Sequence, residues 1–282
     1  WPYVFTFRTI TGVFNIIFPP QIIKIRKSMV FNILFDIQDR KYMSVLPQAS
    51  LFLGIIPALF IMYISLKGYD KYYKEKNVFL TFIVGIIIGF ITSFAQYGLT
   101  SIVIYGIIPT AFIFIISFSF LDQLAKTIIL NIRRFQQKKQ TPIYGMSLGL
   151  GFGSSFTPIM LIIASASDFI PNDTYVLALI GLGSIGIILF HAATGIYIGY
   201  GIFDRTLTRN LVIAIISQIP LSFLVGLMLN YSRTESIRYQ VILSFAIVLY
   251  GLILFYYVNK KILPNILKKG EKKKLKGEQK NE

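Results

Sequence analysis

Beyond about residue 50 the polar positions of this chain retreat into short clusters. The apolar runs between them reach or exceed the roughly 18 to 20 residues needed to cross the hydrocarbon core of a bilayer. Continuous runs of this length predict helices, because the strands of a membrane β-barrel alternate apolar and polar positions in segments of about ten residues. The pattern places spans at about Leu51–Leu66, Val78–Ala95, Ser101 to Ile132, Pro142–Ala164, Tyr175–Phe203, Asn210–Asn230 and Tyr239–Val258. A charge-free turn over Gln96–Thr100 separates the second span from the third. Pro109, Pro158 and Pro220 fall inside spans, where neighbouring helices accommodate the kinks they introduce. The expected fold is therefore all-α: a polytopic transmembrane helical bundle of about seven spans with an N-terminal interfacial helix.

The first 48 residues follow a different pattern. Phe5–Phe18 is apolar but interrupted, and Pro19 and Pro20 end it. Gln21–Ile37 then mixes Ile22, Ile23, Ile25, Val30 and Phe31 with Lys24, Arg26 and Lys27. That segment is too short and too charged to span, so it reads as a helix lying in the membrane interface, with a buried docking arm as the alternative. The expected organisation is an N-terminal interfacial or docking segment over 1–48, a seven-span membrane domain over 49–262 and a lysine-rich tail over 263–282. No charged n-region with an A-x-A cleavage pattern marks the start as a signal peptide.

Composition agrees with the pattern: 55% of the 282 residues are hydrophobic and 14% are charged, against about a quarter charged in soluble domains. The net charge of +16 would suit a nucleic-acid partner if it formed one surface, but it does not. Nine lysines lie between Lys260 and Lys280, and others flank spans, at Lys67, Lys71, Lys74, Lys76, Arg133, Arg134, Lys138, Lys139, Arg205 and Arg209. On the alternate side stand Asp168 and Asp173, with Arg233 and Arg238 the basic residues there. This bias predicts a multi-pass protein of the cell membrane with a cytoplasmic C-terminus, its tail drawn to anionic lipid headgroups. No nucleic-acid partner is expected. The same rule leaves the N-terminal segment outside despite its six basic residues, a conflict within the pattern. The chain has no cysteine, which excludes disulfides and thiolate metal sites. No metal and no cofactor are expected.

Three ionisable side chains fall inside the spans: Asp122, Lys126 and His191. Such groups are expensive in a membrane and raise a functional-site hypothesis by default. Asp122 and Lys126 are four residues apart and share one helix face, acid first, the better order for a pair. The run from Ile102 to Leu121 could fill the core alone, which would put both at the cytoplasmic boundary with Lys126 snorkelling to water. His191 lies 13 residues before Asp204, about 19 Å deep at 1.5 Å per residue. Its helix carries a small, weakly polar face of Gly181, Ser184, His191, Gly195 and Gly199, and span four carries a matching stripe of Gly145, Gly149 and Gly153. Small residues four apart let helix backbones approach closely. His191 either serves a site or hydrogen-bonds across this seam.

The ordered set Asp122-Gln123-x-x-Lys126, then Tyr144-Gly145-x-x-x-Gly149-Leu150-Gly151-Phe152, then His191 in a glycine-spaced helix resembles the PrsW family of the CAAX-prenyl-protease-like intramembrane proteases. Pro57 in the first span, the Asp70–Lys76 loop and the Gly85/Gly89 helix fit it too, over about Ser50 to Lys261. The resemblance implies a glutamate pair and a third glutamate, for which this chain has Asp122, Gln123 and Phe156; Lys126 and His191 are unchanged. Activating water needs a placed base or a metal, and catalytic zinc normally takes three protein ligands. The expectation is a non-catalytic PrsW-like scaffold or binding subunit for another membrane protein. The alternatives are an active intramembrane peptidase using Asp122 and His191, and a small-solute or lipid transporter, for which inverted repeats would be the pointer.

Overall fold

The computed structural model describes residues 46–103, 108–166, 174–232 and 237–264. The chain divides into two units, Trp1–Val45 and Leu46–Glu282, and every described residue belongs to the second. The interfacial helix expected within 1–48, the turn bearing Asp168 and Asp173, and the lysines from Lys268 onward lie outside the described residues.

The described residues form seven α-helices and no strand: α1 (Leu46–Leu66), α2 (Glu75–Val103), α3 (Ile108–Leu130), α4 (Thr141–Ala166), α5 (Thr174–Asp204), α6 (Leu207–Ser232) and α7 (Ile237–Tyr257). A single 3-10 turn, Asp70–Tyr72, sits between α1 and α2, and α7 runs on into a π-helical turn at Val258–Ile262. Five helices are long and apolar enough to cross a membrane, over Glu75–Gln96, Phe112–Leu130, Ala178–Asp204, Leu207–Met228 and Ile237–Lys260; Phe52–Leu66 is a shorter apolar helix. This is an all-helical, multi-pass membrane architecture.

Two boundaries differ from the sequence reading. Gln96–Thr100, expected as a turn, is helical, because α2 continues to Val103. The Gln-Tyr-Gly-Leu-Thr string has turn-like composition, yet the helix absorbs it and carries Gln96 inward, where its amide finds a buried partner. As a consequence Pro109 stands at the second position of α3 rather than within a span. There its missing N–H is one that the helix leaves unbonded in any case. The prolines inside helices are Pro57, Pro158 and Pro220.

The centre of the bundle is α4, which packs against α5, α2 and α1. Ile143, Met146, Leu148 and Leu150 are fully buried, as are Ser147, Ser154 and Ser155. A helix enclosed by protein need not be lipophilic, and α4 is correspondingly rich in glycine and serine. Its glycines set the packing. A Cβ at Gly145 would strike the carbonyl of Gly195, and one at Gly195 the carbonyl of Gly145; at Gly149 it would strike the carbonyl of His191. One at Gly153 would come within 2.8 Å of the Ile188 Cα, and one at Gly199 within 2.8 Å of the Pro142 Cα. The pairing order makes α4 and α5 antiparallel. On its other side, Gly85 abuts Leu148 and Gly89 abuts Phe152, so α2 runs parallel to α4.

Outside this centre the helices are apolar toward the surroundings. On α2 the exposed positions are Phe79, Ile83, Ile87, Ile91 and Phe94, while Val78, Phe82, Gly85, Gly89 and Ser93 are buried. The outward face is the bulkier one and the inward face the smaller. A bilayer favours this division, because lipid accepts large side chains while close backbone contact requires small ones.

Candidate functional site

The polar groups of the interior gather where α2, α3, α4, α5 and α6 converge. Helix α3 presents Ser119, Asp122, Gln123, Lys126 and Thr127 as one buried stripe, while Phe120, Leu121 and Ile128 stay exposed. That spacing follows the helical repeat, so a single inward face carries these five polar residues, while Ser117 is exposed. Lys126 has no exposed surface at all. The boundary position in which Lys126 snorkels to water is therefore not the one observed.

Asp122 is held from two helices. Gln96 Nε2 of α2 donates to Oδ1 at 2.7 Å, and Gln218 Nε2 of α6 donates to Oδ2 at 2.5 Å. The Gln218 amide oxygen in turn accepts from Gln123 Nε2. Three helices, α2, α3 and α6, thus contribute to one hydrogen-bonded chain running from Gln123 through Gln218 to Asp122 and on to Gln96. Lys126 Nζ lies 2.7 Å from Thr194 Oγ1 and 3.1 Å from His191 Nδ1, both on α5. It also stands 5.3 Å from the centre of the Phe152 ring on α4, within range of a cation–π contact. An ammonium has donors only, so with Lys126 charged Nδ1 is the acceptor and the His191 proton sits on Nε2. The His191 ring is flanked by Phe152 at 4.8 Å and Phe190 at 5.4 Å.

The structure thus brings Asp122, Lys126 and His191 into one buried cluster, although α3 and α5 give different depths when each is counted from its own end. Lys126 is four residues, about 6 Å, from the end of α3, and His191 about 19 Å from the end of α5. The longer α5 extends past α3 toward the basic loops. His191 does not bridge α4 and α5 by a hydrogen bond. Its bond goes to α3, and it meets α4 through the Phe152 ring and its own carbonyl against Gly149.

The remaining packing residues separate. Gly145, Gly149, Gly153, Gly195 and Gly199 line the α4–α5 contact, whereas Gly181 faces Leu53 of α1. Ser184 is buried with no hydrogen-bond partner for its hydroxyl. Phe156, at the position of the third glutamate implied by the resemblance, packs beside Ile187, Phe190, Leu221 and Ile247. A carboxylate there would face an apolar cluster.

Five participants escaped the sequence reading. Gln96 fell in the supposed turn. Gln218, a lone amide in an apolar span, was a legible signal, since such groups join membrane helices. A third seam joins α5 to α7, where a Cβ on Gly186 or Gly251 would strike the opposing backbone. Gly54 of α1 stands against the carbonyl of Ser154 in the same way. Among the described residues no group of three His, Cys, Asp or Glu side chains is placed to hold a metal ion.

Comparison with protein-family models, with curated proteins and with solved structures finds no match to this chain.

Proposed function

We propose that the chain is a non-catalytic, PrsW-like integral membrane protein that serves as a scaffold or binding subunit for another membrane protein. The observation that carries this reading is the engagement of every candidate catalytic group by a neighbour. Both Asp122 oxygens are covered by glutamine amides, and Lys126 Nζ occupies the hydrogen-bonding position at His191 Nδ1. A base must reach the proton it removes; these side chains are spent on holding five helices together. The clustering of Asp122 and His191 favours one competing reading, an intramembrane peptidase. The two readings diverge in a cleavage assay with the purified protein in liposomes containing fluorogenic transmembrane peptides. The expected result is no cleavage beyond that of empty liposomes. Cleavage lost in a folded Asp122→Asn variant would establish the peptidase, since removing a working acid or base lowers turnover by roughly a hundredfold or more.

The chain crosses the membrane seven times in this reading, with α1 and α4 joining the five long apolar helices. Support comes from the pairing of α1 and α4 with α2 and α5 along the same layer, which brings the ends bearing Lys67–Lys76, Arg133–Lys139 and Arg205–Arg209 together. That basic end and the C-terminus face the cytoplasm. In this cysteine-free chain, Lys138→Cys should react with an impermeant maleimide only from the cytoplasmic side and Asp173→Cys only from the other. Labelling of position 173 from the cytoplasmic side would refute the arrangement.

A further inference from the structure

At the basic end of the bundle a cavity of about 370 Å³ opens between the turn before α2 and the segment joining α3 to α4. Its size falls within the roughly 300–1,000 Å³ of small-ligand sites. It is lined by Lys74, Lys76 and Asn77 on one side and by Arg134, Phe135, Lys138, Gln140 and Tyr144 on the other. Four of these are cations and none is a carboxylate. Glu75, beside them in sequence, is exposed and does not line the cavity.

The floor is built rather than incidental. Tyr144 is 3% exposed and its ring packs against the buried Phe135 at 5.5 Å. Its hydroxyl oxygen accepts the Lys74 backbone N–H and the Asn77 amide, each at 3.3 Å. Arg134 Nη2 donates to Asn77 Oδ1 at 2.6 Å, which orients that amide with its NH2 toward the tyrosine. A phenol has one proton to donate. With its lone pairs occupied, what Tyr144 offers a ligand is a hydrogen-bond donor.

Helix direction adds to this. Because α2 and α4 run parallel, both N-termini reach the same cavity, and the helix dipoles place partial positive charge there, although at α4 the N–H groups of Thr141, Ile143 and Tyr144 are already bonded and Pro142 has none. The four cations, the Tyr144 hydroxyl and the two helix dipoles therefore present positive charge or a donor to one partly open cavity. Nearby, Lys71 and Lys139 stand 5.4 and 5.5 Å from the same Tyr72 ring, which concentrates two further ammonium groups at this end.

We propose that this cavity binds a phosphate group, supplied by the headgroup of an anionic membrane lipid or by a soluble phosphate compound. Cationic pockets between membrane helices at the cytoplasmic side commonly take such headgroups. The lysine-rich tail is a second candidate for anionic headgroups by its sequence, and the test separates it from the cavity.

The test is native mass spectrometry of the full chain in detergent, titrated with short-chain phosphatidic acid, short-chain phosphatidylcholine and inorganic phosphate. Phosphatidic acid should occupy one site in preference to phosphatidylcholine. Lys76→Gln with Lys138→Gln, both exposed and safe for the fold, should weaken that site about 30-fold, the effect of two surface cations. Tyr144→Phe should weaken it about tenfold by removing one donor to a charged acceptor. The triple change Lys272→Gln, Lys273→Gln and Lys274→Gln in the tail should leave it intact. Displacement of the lipid by millimolar inorganic phosphate would assign the site to a soluble phosphate compound, and failure to displace it would assign it to the lipid. Binding that survives the cavity variants but is lost in the tail variant overturns the proposal, as does the absence of binding by both phosphate probes.

Discussion

Gly149→Leu will drive α4 and α5 apart and lower the stability of the bundle by about 3 kcal/mol, the upper part of the usual range for overpacking. The clash is with backbone: a Cβ at this position would strike the His191 carbonyl and come within 2.9 Å of the Ala192 Cα. No side-chain rotation relieves it, so one helix must move. Moving α5 also displaces His191 and Thr194 from Lys126, so the loss extends beyond the contact itself. At about 2–4 °C per kcal/mol for a chain of this size, the melting temperature should fall by roughly 10 °C. Gly226→Leu in α6 is the matched control, because nothing stands within 4 Å of a Cβ there. Equal melting temperatures for the two variants in the same detergent would remove the α4–α5 seam as a determinant of stability.

Lys126→Ala is the second change with a large expected effect. Two magnitudes compete here. If Lys126 contributes only interhelical hydrogen bonds, the loss is about 0.6 kcal/mol and at most about 1.7. If its ammonium offsets the buried Asp122 carboxylate one turn away on α3, its removal leaves a charge enclosed by glutamines, and breaking a buried pair costs about 3–5 kcal/mol. Full burial of both side chains favours the larger figure. The cycle with Asp122→Asn separates the two. Adding Asp122→Asn to Lys126→Ala should recover 1 kcal/mol or more relative to the sum of the single changes, since neighbouring charges couple by about 0.5–3 kcal/mol. Additivity within about 0.5 kcal/mol in reversible SDS unfolding would show that the two charges do not support one another.

The candidate site was half legible in the sequence. Asp122, Lys126 and His191 announced themselves because ionisable groups are rare in apolar spans. The periodicity of α3 put Asp122 and Lys126 on one face. Counting residues along α3 alone nevertheless left them at the water boundary, because depth depends on where neighbouring helices end, and α5 extends past α3. Gln96 was hidden by turn-like composition, and only the helical continuation to Val103 brings its amide to Asp122.

What the sequence determined by itself is the helical, membrane-crossing character of the chain, since a bilayer demands long apolar segments whose backbone groups are bonded internally. It also determined the α4–α5 contact in outline, because glycines every four residues make a groove whatever the partner. Hydropathy could not say which face of each helix turns inward, because lipid and protein interior are both apolar. On α2 the choice between Ile83 outward and Gly85 inward is one of size alone. Tertiary structure decided the rest: that α4 is enclosed, that α2 runs parallel to it with both N-termini at one basic cavity, and that Gln96, Asp122, Gln123 and Gln218 join three helices. Such polar pairings depend on helices distant in sequence arriving at one height, and no local pattern encodes that.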